Sequence, residues 1–454
     1  MDALLIHSGT LVCMDAAGTV KRGEMLIVGD RIAALAGAVP AALAALPPGA
    51  EVRRFDASGC LVLPGFVHGH VHLCQTLFRG LAEQSDLLRW LRERIWPLEH
   101  AHDEASIAAS VRLGACELIA GGVTCVNDMG TVRLTEAVGE TLAATGLRAI
   151  FGPALMDAGE GVPDGMLMPA REALDEVQRL AKRFSAREGG RLQVSLAPRF
   201  ILSCSEGLWH DVAALSRERG MIVHTHIAEA PNEGAEVKAA VGVHAAPYFA
   251  RHGVLSERFV GAHGVWLDER ELGLMKDADA ALVHCPGSNL KLASGLADVA
   301  AWKAAGIRCG LGSDGGACNN RLDTFVEMGL AGGIARVKRR DAGLSARDVV
   351  ALATCDGARA LGLAERIGSL EPGKQADVCC VDVSTPRCAP FGEERPYEAL
   401  VHAASSSDVT LTVVAGRVLY DWGDWKTLDP LQVVADAQRE GRELVQRAQV
   451  GGLA

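Results

Sequence analysis

The sequence has no excess of positive charge and no long apolar segment. Its 45 lysine and arginine residues are outnumbered by 56 aspartate and glutamate residues, and the formal net charge is −11. A chain with this balance offers no basic surface to neutralise phosphates, which argues against nucleic acid or an anionic membrane as a partner. The longest uncharged run, residues 32–50, contains Pro40, Pro47 and Pro48 and would make a poor membrane span. We therefore expect a protein whose partner is a small molecule.

The N-terminus and the cysteines lack the patterns of secreted and zinc-ribbon proteins. No cationic stretch followed by a long apolar segment opens the chain, so no secretion signal is predicted. The 13 cysteines include no CxxC pair. Scattered thiols of this kind are typical of reduced side chains that pack as small hydrophobic groups. These features predict a cytoplasmic protein, and a homo-oligomer is expected on general grounds alone.

The chain contains enough apolar residues for a large core. It has 454 residues, of which 49% are hydrophobic, and a chain of this length usually folds as two or three units. Short β-rich segments with Gly-Asp and Pro-Gly turns occur near both ends. We interpret residues 1–60 and 368–454 as one small β-sandwich with a C-terminal helix, and residues 61–367 as a separate central domain.

Eight short apolar runs alternate with amphipathic helical segments in the central domain. This alternation predicts an α/β fold, specifically a (β/α)8 TIM barrel. A doubly wound open sheet is the alternative, but its GxGxxG fingerprint does not follow the first run. The eight runs are CLVLPGFVHGH, GVTCVND, LRAIFGP, RLQVSLAP, GMIVHTH, RFVGAH, AALVHCP and GIRCGLGSD.

Histidine or aspartate residues stand at the ends of six of these runs. In an α/β barrel the C-terminal ends of all strands open onto one face, where the active site is built. Residues far apart in the sequence are therefore expected to meet in one pocket. They are His70, His72, Asp128, His224, His226, His263, His284 and Asp314.

Four of these residues form a candidate metal site. His70 and His72 are two residues apart, so on an extended strand their side chains point to the same side and can bind one ion. His226 and Asp314 add an imidazole and a carboxylate, and Asp314 can also accept a hydrogen bond from water on the metal. This set suits Zn²⁺, with Fe²⁺ and Mn²⁺ as alternatives. Run four has no lysine to bridge two metals, so one ion is predicted. A pair of histidines on one strand, taken alone, is as often packed in the core as it is bound to a metal.

Further residues around this site are candidates for catalysis. Glu229 lies three residues after the last histidine of run five, where a turn brings its carboxylate beside the metal to move a proton to a leaving group. An exposed glutamate that opens a helix is the alternative. His263 is expected to polarise the substrate, and His284 to contact the substrate or orient the metal ligands. His68 and His224 are interpreted as orienting or packed residues.

Five motifs in this order resemble the metal-dependent amidohydrolase superfamily, in particular its aminohydrolase branch. They are PGFVHGHVH, HTHIAE, GAHGVW, HCPGSNLKLASG and LGSDGGACNN, and the resemblance extends over nearly the whole chain. It implies the barrel with a terminal β-sandwich, the four metal ligands named above, and Glu229 and His263 in catalysis. The implied reaction is hydrolytic deamination of a heterocycle such as a purine base, a 5′-substituted adenosine or a pterin, with release of ammonia.

Residues near the first and fourth runs resemble two sub-families. CQTLFRGLAEQSDLLRWL resembles deaminases of S-adenosylhomocysteine and methylthioadenosine, in which the acid that matches Glu83 holds ribose hydroxyls. HVHLCQ and APRFILSCSE resemble guanine deaminase, in which the residues that match Gln75 and Arg199 bind the amide edge of the base. A guanidinium carries donors only, so Arg199 suits a carbonyl oxygen, an acidic ring nitrogen or a carboxylate. The alternative for each of these three residues is that it does not contact substrate and is a surface or scaffold residue.

Two other functions are compatible with the same pattern. The s-triazine hydrolases, which remove chloride or an alkylamine, share these metal ligands, and a metal-binding protein without catalysis is a third interpretation. A long Gly/Pro-rich segment, residues 151–170, is predicted to cover the pocket. It contains no arginine or lysine, which favours a substrate smaller than S-adenosylhomocysteine.

Overall fold

The structure, a computed structural model, describes residues 2–82, 87–185 and 188–450. These residues form a mixed α/β molecule with two large sheets. Strands and helices are numbered along the chain. No helix among the described residues is long and apolar enough to cross a membrane.

The first sheet is assembled from both ends of the chain. Its strands are β1 (Ala3–Val12), β2 (Val20–Val28), β3 (Arg31–Leu35), β4 (Val52–Asp56), β5 (Cys60–Pro64), β17 (Val378–Asp382), β18 (Val409–Val414), β19 (Arg417–Asp421) and β20 (Asp424–Trp425). Their order is β20-β19-β18-β17-β5-β1-β2-β3, and β4 pairs with β1 outside this path. The N-terminal β5 pairs antiparallel with β17. The two termini therefore share one hydrogen-bonded sheet.

The second sheet contains the candidate site residues. Its parallel strands are β6 (Phe66–His72), β7 (Val123–Met129), β8 (Arg148–Gly152), β10 (Leu192–Val194), β12 (Val223–Ile227), β13 (Phe259–His263), β14 (Ala281–His284), β15 (Arg308–Leu311) and the short β16 (Asp314–Gly315). Their order is β10-β8-β7-β6-β15-β14-β13-β12, and β16 pairs with β6. Each of the eight predicted apolar runs contributes a strand. β9 (Ala154–Leu155) and β11 (Ala197–Pro198) form a separate pair.

The two outer strands of this parallel sheet are also connected. An isolated parallel bridge joins Leu196, just after β10, to Val223 at the start of β12. Its hydrogen bonds run from the N–H of Leu196 to the carbonyl of Ile222 (2.9 Å) and from the N–H of His224 to the carbonyl of Leu196 (2.8 Å). β10 and β12, the two outer strands, are thus neighbours in space.

Helices connect the strands and cover the parallel sheet. They are α1 (Val39–Ala44), α2 (Leu87–Trp90), α3 (Trp96–His100), α4 (Glu104–Ala120), α5 (Thr135–Thr145), α6 (Ala170–Phe184), α7 (Glu206–Arg219), α8 (Pro231–Val241), α9 (Ala245–Arg251), α10 (Glu269–Asp277), α11 (Pro286–Lys291), α12 (Val299–Ala304), α13 (Thr324–Arg339), α14 (Ala346–Leu352), α15 (Cys355–Ala360), α16 (Pro396–His402) and α17 (Pro430–Ala448). A π-helical turn, Leu91–Ile95, lies between α2 and α3. The C-terminal α17 packs against α4.

Gly65 separates the two sheets. β5 ends at Pro64 and β6 begins at Phe66, so the first apolar run, predicted as one strand, contains two. The predicted start of the central domain at residue 61 therefore falls inside a strand of the terminal sheet. A Cβ atom at position 65 would approach Cγ2 of Thr124 to 2.0 Å, which explains why glycine stands at this point.

A buried ion pair joins the two sheets. Arg148 of β8 donates from Nε and Nη2 to the two carboxylate oxygens of Asp377, at 2.7 and 2.8 Å. The N–H of Ala415 also donates to this carboxylate (2.8 Å), and the N–H of Gly65 donates to the backbone carbonyl of Asp377 (3.0 Å). The start of β6, which carries the first metal-ligand candidates, is thus anchored to the terminal sheet.

Candidate metal centre and active site

The four predicted metal ligands lie together, at the C-terminal ends of β6 and β12 and at the start of β16. His70 and His72 are on β6, His226 is on β12, and Asp314 is on β16. All four are buried or nearly so. The predicted convergence of residues from distant parts of the chain therefore takes place.

The distances between the ligand atoms fit one metal ion. Nε2 of His72 lies 3.2 Å from Nε2 of His226 and 3.4 Å from Oδ1 of Asp314, and Nε2 of His70 lies 3.3 Å from the same oxygen. Ligands about 2.0–2.1 Å from a tetrahedral zinc ion stand roughly 3.3 Å apart. Nε2 of His70 is buried with no hydrogen-bond partner among the described residues. The donor set and its spacing thus fit a divalent metal.

Hydrogen bonds on the far side of each ring orient the histidines. The Nδ1–H of His72 donates to the carbonyl of Met129 (2.8 Å), and that of His226 donates to the carbonyl of Arg199 (2.7 Å). Since carbonyls only accept, both rings must turn an Nε2 lone pair toward the centre. Burial lowers the pKa of His72 from 6.5 to about 3, so its ring is neutral at physiological pH. Neutral imidazole is the form that binds a metal.

Asp314 is held as a carboxylate. Burial raises its pKa, but the neighbouring His70 and His263 outweigh burial and keep the pKa of Asp314 well below its usual range. The hydroxyl of Ser288 donates to Oδ2 (2.6 Å), and the N–H of Gly315 donates to Oδ1 (2.8 Å). The backbone of Asp314 has φ +60°, a left-handed conformation that is strained for a residue other than glycine. Such strain is typical of functional sites.

Glu229 and His263 lie beside the metal site, as predicted. Nε2 of His263 is 3.5 Å from Oε2 of Glu229 and 3.8 Å from Oδ2 of Asp314. The Nδ1–H of His263 donates to Oδ1 of Asn289 (2.9 Å), which leaves Nε2 facing the site. Burial, with the carboxylates of Asp314 and Glu233, raises the pKa of Glu229 well above its usual value. A buried carboxyl group with a raised pKa is a typical proton-transfer group in an active site.

Glu233 was not singled out from the sequence. Its Oε2 accepts hydrogen bonds from the N–H groups of Glu229 (2.7 Å) and Ala230 (3.3 Å), and its side chain lies in the pocket wall. It stands at the third position of α8, where an acidic residue commonly caps the helix. The sequence signal was therefore only that of an ordinary helix start.

A narrow pocket with a cavity volume of about 30 Å³ opens onto the metal site. Its polar wall includes Gln75 and Arg199, two of the predicted substrate contacts. The other predicted contacts differ: Glu83 lies outside the described residues, and His284 is absent from the pocket lining. The apolar part of the wall consists of Leu87, Trp90, Leu91, Phe200 and Leu292.

Arg199 is paired with a buried carboxylate in the pocket wall. Its Nη1 and Nη2 donate to both carboxylate oxygens of Glu99, at 2.7 and 3.0 Å. Gln75 also donates from Nε2 to Glu99 (2.9 Å). Glu99 is hard to recognise from the sequence, because an acid in WPLE at the start of a short helix is typical of an exposed first turn.

The remaining histidines occupy different positions. The His68 ring lies between the hydroxyls of Ser313 (3.0 Å) and Thr324 (2.8 Å). His284 packs edge-on against Trp302, and neither of its ring nitrogens has a hydrogen-bond partner among the described residues. The substrate contact of His284 stays a prediction.

Comparison with known proteins places this site in a family. The sequence profile of the amidohydrolase family matches residues 61–419. The chain belongs to the amidohydrolase family. This amidohydrolase is 35% identical over 429 residues to the 5′-deoxyadenosine deaminase of Methanothermobacter thermautotrophicus, covering 94% of this chain and 96% of that protein. It is 34% identical over 441 residues to the 5-methylthioadenosine/S-adenosylhomocysteine deaminase of Natronomonas pharaonis, covering 97% and 96% of the two chains.

A solved structure with bound zinc has the same fold. An adenosine deaminase from Xanthomonas campestris superimposes on this amidohydrolase with a TM-score of 0.89, at 29% identity and with 98% of each chain covered. The family and the donor set together support a divalent metal on the four clustered residues.

Proposed function

We propose that this amidohydrolase is a deaminase of 5′-substituted adenosines, a hydrolase acting on the C–N bond of a cyclic amidine and releasing ammonia. The observation that carries the proposal is the position of Glu229 and His263 against the cluster of His70, His72, His226 and Asp314. This arrangement suits addition of water to a ring carbon and transfer of its proton to a leaving amine. The two curated relatives are named for this chemistry on adenosine derivatives.

We assign the metal site to His70, His72, His226 and Asp314, with zinc as the ion. When bound, a divalent metal lowers the pKa of a coordinated water toward about 7 and so supplies the nucleophile. A set of three imidazole nitrogens and one carboxylate oxygen is compatible with Zn²⁺, and the Xanthomonas structure contains zinc. Asp314, kept ionised by its neighbours, accepts a hydrogen bond on the water side.

Glu229 carries the protons in this proposal. Its raised pKa lets the carboxyl group take a proton from water, hold it in the buried site, and deliver it first to a ring nitrogen and then to the departing amine. Glu233 fixes the backbone of Glu229 through its hydrogen bond to the N–H. The carboxyl group therefore stays within reach of both the water and the substrate.

His263 stabilises the tetrahedral intermediate. Asn289 fixes its Nδ1–H, so Nε2 is the atom that faces the site between Glu229 and Asp314. The His263 backbone has φ +78°, a second strained position beside the centre. A ring held this firmly needs little reorganisation when charge develops on the substrate.

The apolar part of the pocket wall favours an uncharged 5′ substituent. Leu87, Trp90, Leu91, Phe200 and Leu292 suit a deoxy or methylthio group. Arg199, the one arginine among the described residues of the lining, is already paired with Glu99. A zwitterionic homocysteine tail would lose hydration there without a free cation to pair with. Glu83 keeps its predicted role of binding ribose hydroxyls.

We also infer that the parallel sheet is a closed (β/α)8 barrel and that the terminal sheet folds into a β-sandwich over one side. The bridge from Leu196 to Val223 supports closure, because it joins the two outer strands of the sheet. β1 pairs with β4 along its first half and with β5 along its second, which supports a division of the terminal sheet into two layers. A cytoplasmic location remains our expectation.

The test is ammonia release by metal-quantified protein. The panel contains 5′-deoxyadenosine, methylthioadenosine, adenosine, S-adenosylhomocysteine, guanine, isoxanthopterin and an aminotriazine. We expect turnover of 5′-deoxyadenosine and methylthioadenosine, and a loss of about 10²–10⁴-fold in Glu229→Gln with metal content unchanged. If guanine or the aminotriazine were turned over and no adenosine were, the proposed substrate class would be wrong. If the protein bound metal but released ammonia from no compound of the panel, deamination would be contradicted.

A further inference from the structure

Glu99 is a buried carboxylate at the pocket wall that has no part in the chemistry above. Its Oε1 accepts from Gln75 Nε2 (2.9 Å) and Arg199 Nη2 (3.0 Å), and its Oε2 accepts from Arg199 Nη1 (2.7 Å). All three side chains are at most 3% exposed. Two of them, Gln75 and Arg199, line the pocket.

The charge of Glu99 decides which way the Gln75 amide faces. Burial raises the pKa of Glu99, but Arg199 outweighs burial and holds that pKa below its usual value, so Glu99 is a carboxylate. A carboxylate only accepts hydrogen bonds. Gln75 must therefore turn its NH₂ group to Glu99 and its carbonyl oxygen away from it.

The carbonyl oxygen of Gln75 lies beside the metal site without a partner. Oε1 is buried and makes no hydrogen bond to the described residues. A Cβ atom at Gly315 would come within 2.1 Å of this oxygen, so it lies against the residue that follows the metal ligand Asp314. A buried acceptor left unpaired costs free energy. A ligand that donates an N–H or O–H group to it would remove this cost.

Glu99 also changes what Arg199 can attract. An unpaired guanidinium in an apolar pocket would favour a carboxylate or another anion. With both oxygens of Glu99 against it, the pair is neutral, while N–H groups not used by Glu99 are still able to donate. The wall therefore suits an uncharged ring.

We propose that Glu99 is a positioning residue for substrate binding. It fixes the Gln75 carbonyl oxygen as the acceptor for an N–H or O–H donor of a neutral heterocyclic substrate, and it cancels the charge by which Arg199 would bind an anion. The proposal rests on the proposed deaminase function. It replaces the expectation, drawn from Arg199 alone, that carboxylates and acidic ring nitrogens are among the preferred ligands.

The first experiment measures kcat and KM in a double-mutant cycle with the best substrate of the panel. Glu99→Gln removes the charge at constant size, and Gln75→Leu removes the acceptor. We expect KM to rise about tenfold in each variant, with a smaller fall in kcat and unchanged metal content. If Glu99 acts through Gln75, the double variant is little worse than either single one.

The second experiment uses benzoate as an anionic ring that carries no donor. Benzoate should inhibit Glu99→Gln at concentrations at least about tenfold below those that affect the wild type, because Arg199 is then uncompensated. Gln75→Leu should stay as insensitive as the wild type. Asp377→Asn is the matched control, since it breaks another buried bidentate arginine pair that lies away from the pocket. It should lower stability with no change in KM or in benzoate inhibition.

The outcomes separate this proposal from the proposed function. If the wild type releases no ammonia from any compound of the panel, both the deaminase function and the positioning role are refuted. If the wild type is active, three results would each refute the positioning role alone. They are an unchanged KM in Glu99→Gln, additive effects in the double variant, and benzoate inhibition of Glu99→Gln no stronger than that of the wild type. Should Glu99→Gln fail to fold, Gln75→Leu decides: an unchanged KM overturns the proposal.

Discussion

Nδ1 of His70 lies 2.8 Å from Nε2 of His224, and both rings are fully buried. Nε2 of His70 faces the metal site, so its Nδ1 carries the proton and donates a hydrogen bond to Nε2 of His224. Burial, with the adjacent His70, lowers the pKa of His224 well below 6.5, which keeps its Nε2 available as an acceptor. His224 therefore fixes the tautomer of a metal ligand.

Replacement of His224 tests this orienting role. His224→Phe fills similar space without an acceptor, and we expect metal affinity to fall about 10–100-fold. His224→Gln retains an acceptor and should lose less. Competition with a chromophoric chelator measures both affinities. Equal affinity in wild type and His224→Phe would show that the hydrogen bond does not hold the ligand.

Asn289 should control the catalytic rate through His263. Asn289→Ala removes the acceptor of the Nδ1–H, so the ring is free to rotate or to change tautomer. We expect kcat to fall by about tenfold or more, while KM and metal content change little. A rise in KM at constant kcat would instead place Asn289 in substrate binding.

Removal of the metal should abolish activity and lower stability. Nε2 of His70 is buried without a hydrogen-bond partner among the described residues, and an ion that binds only the native state stabilises it by mass action. Dialysis against a chelator should stop ammonia release and lower Tm, and added Zn²⁺ should restore both. Full activity after verified removal would contradict the metal site.

The pair Arg148 and Asp377 should contribute strongly to stability. Asp377→Asn leaves a buried arginine uncompensated, and breaking such pairs costs about 3–5 kcal/mol in the free energy of unfolding. Urea unfolding measures the change. Conversion of both residues to apolar ones should restore much of the loss. A change below about 1 kcal/mol in Asp377→Asn would show that the two sheets are held together by other contacts.

His284 should make the protein sensitive to acid. Burial lowers its pKa from 6.5 to about 3, so between these values the unfolded chain binds a proton that the native protein does not. The free energy of unfolding therefore falls as pH falls, by about 1.4 kcal/mol per pH unit for this group, and its full contribution is present above pH 6.5.

His284→Phe tests this dependence. In chelator-treated protein, urea unfolding at pH 7, 6 and 5 should show a shallower loss of stability in the variant than in the wild type. Identical slopes would mean that His284 is solvated or protonated in the native state. Ammonia release by the same variant also tests the predicted contact between His284 and the substrate.

The strands of the parallel sheet, and the grouping of most candidate site residues at one end of it, followed from local sequence signals. Each apolar run predicted one strand, and the ends of these strands supplied His70, His72, His226, His263 and Asp314. Such residues can be found because parallel strands align their C-terminal ends whatever the sequence distance between them. Glu229 could be predicted because it lies one turn beyond a ligand.

Residues recognisable only by their three-dimensional partners could not be predicted. Glu99 reads as an exposed helix-start acid until Arg199, a hundred positions away, is seen against it. The division at Gly65 was missed because both strands it joins are continuously apolar, and apolar runs alone do not show which sheet a strand enters. Arg199 lies in the pocket wall, but its guanidinium is neutralised by Glu99, and this pairing could not be seen in the sequence.

The pairing of β5 with β17 has a consequence for folding during synthesis. β5 is made early, but its antiparallel neighbour emerges only after the whole parallel sheet has been translated. Until then β5 presents a bare strand edge, which invites pairing with other nascent chains. Contacts this distant in sequence also form slowly. A premature stop before β17 should therefore yield insoluble protein even though every metal-binding residue is present.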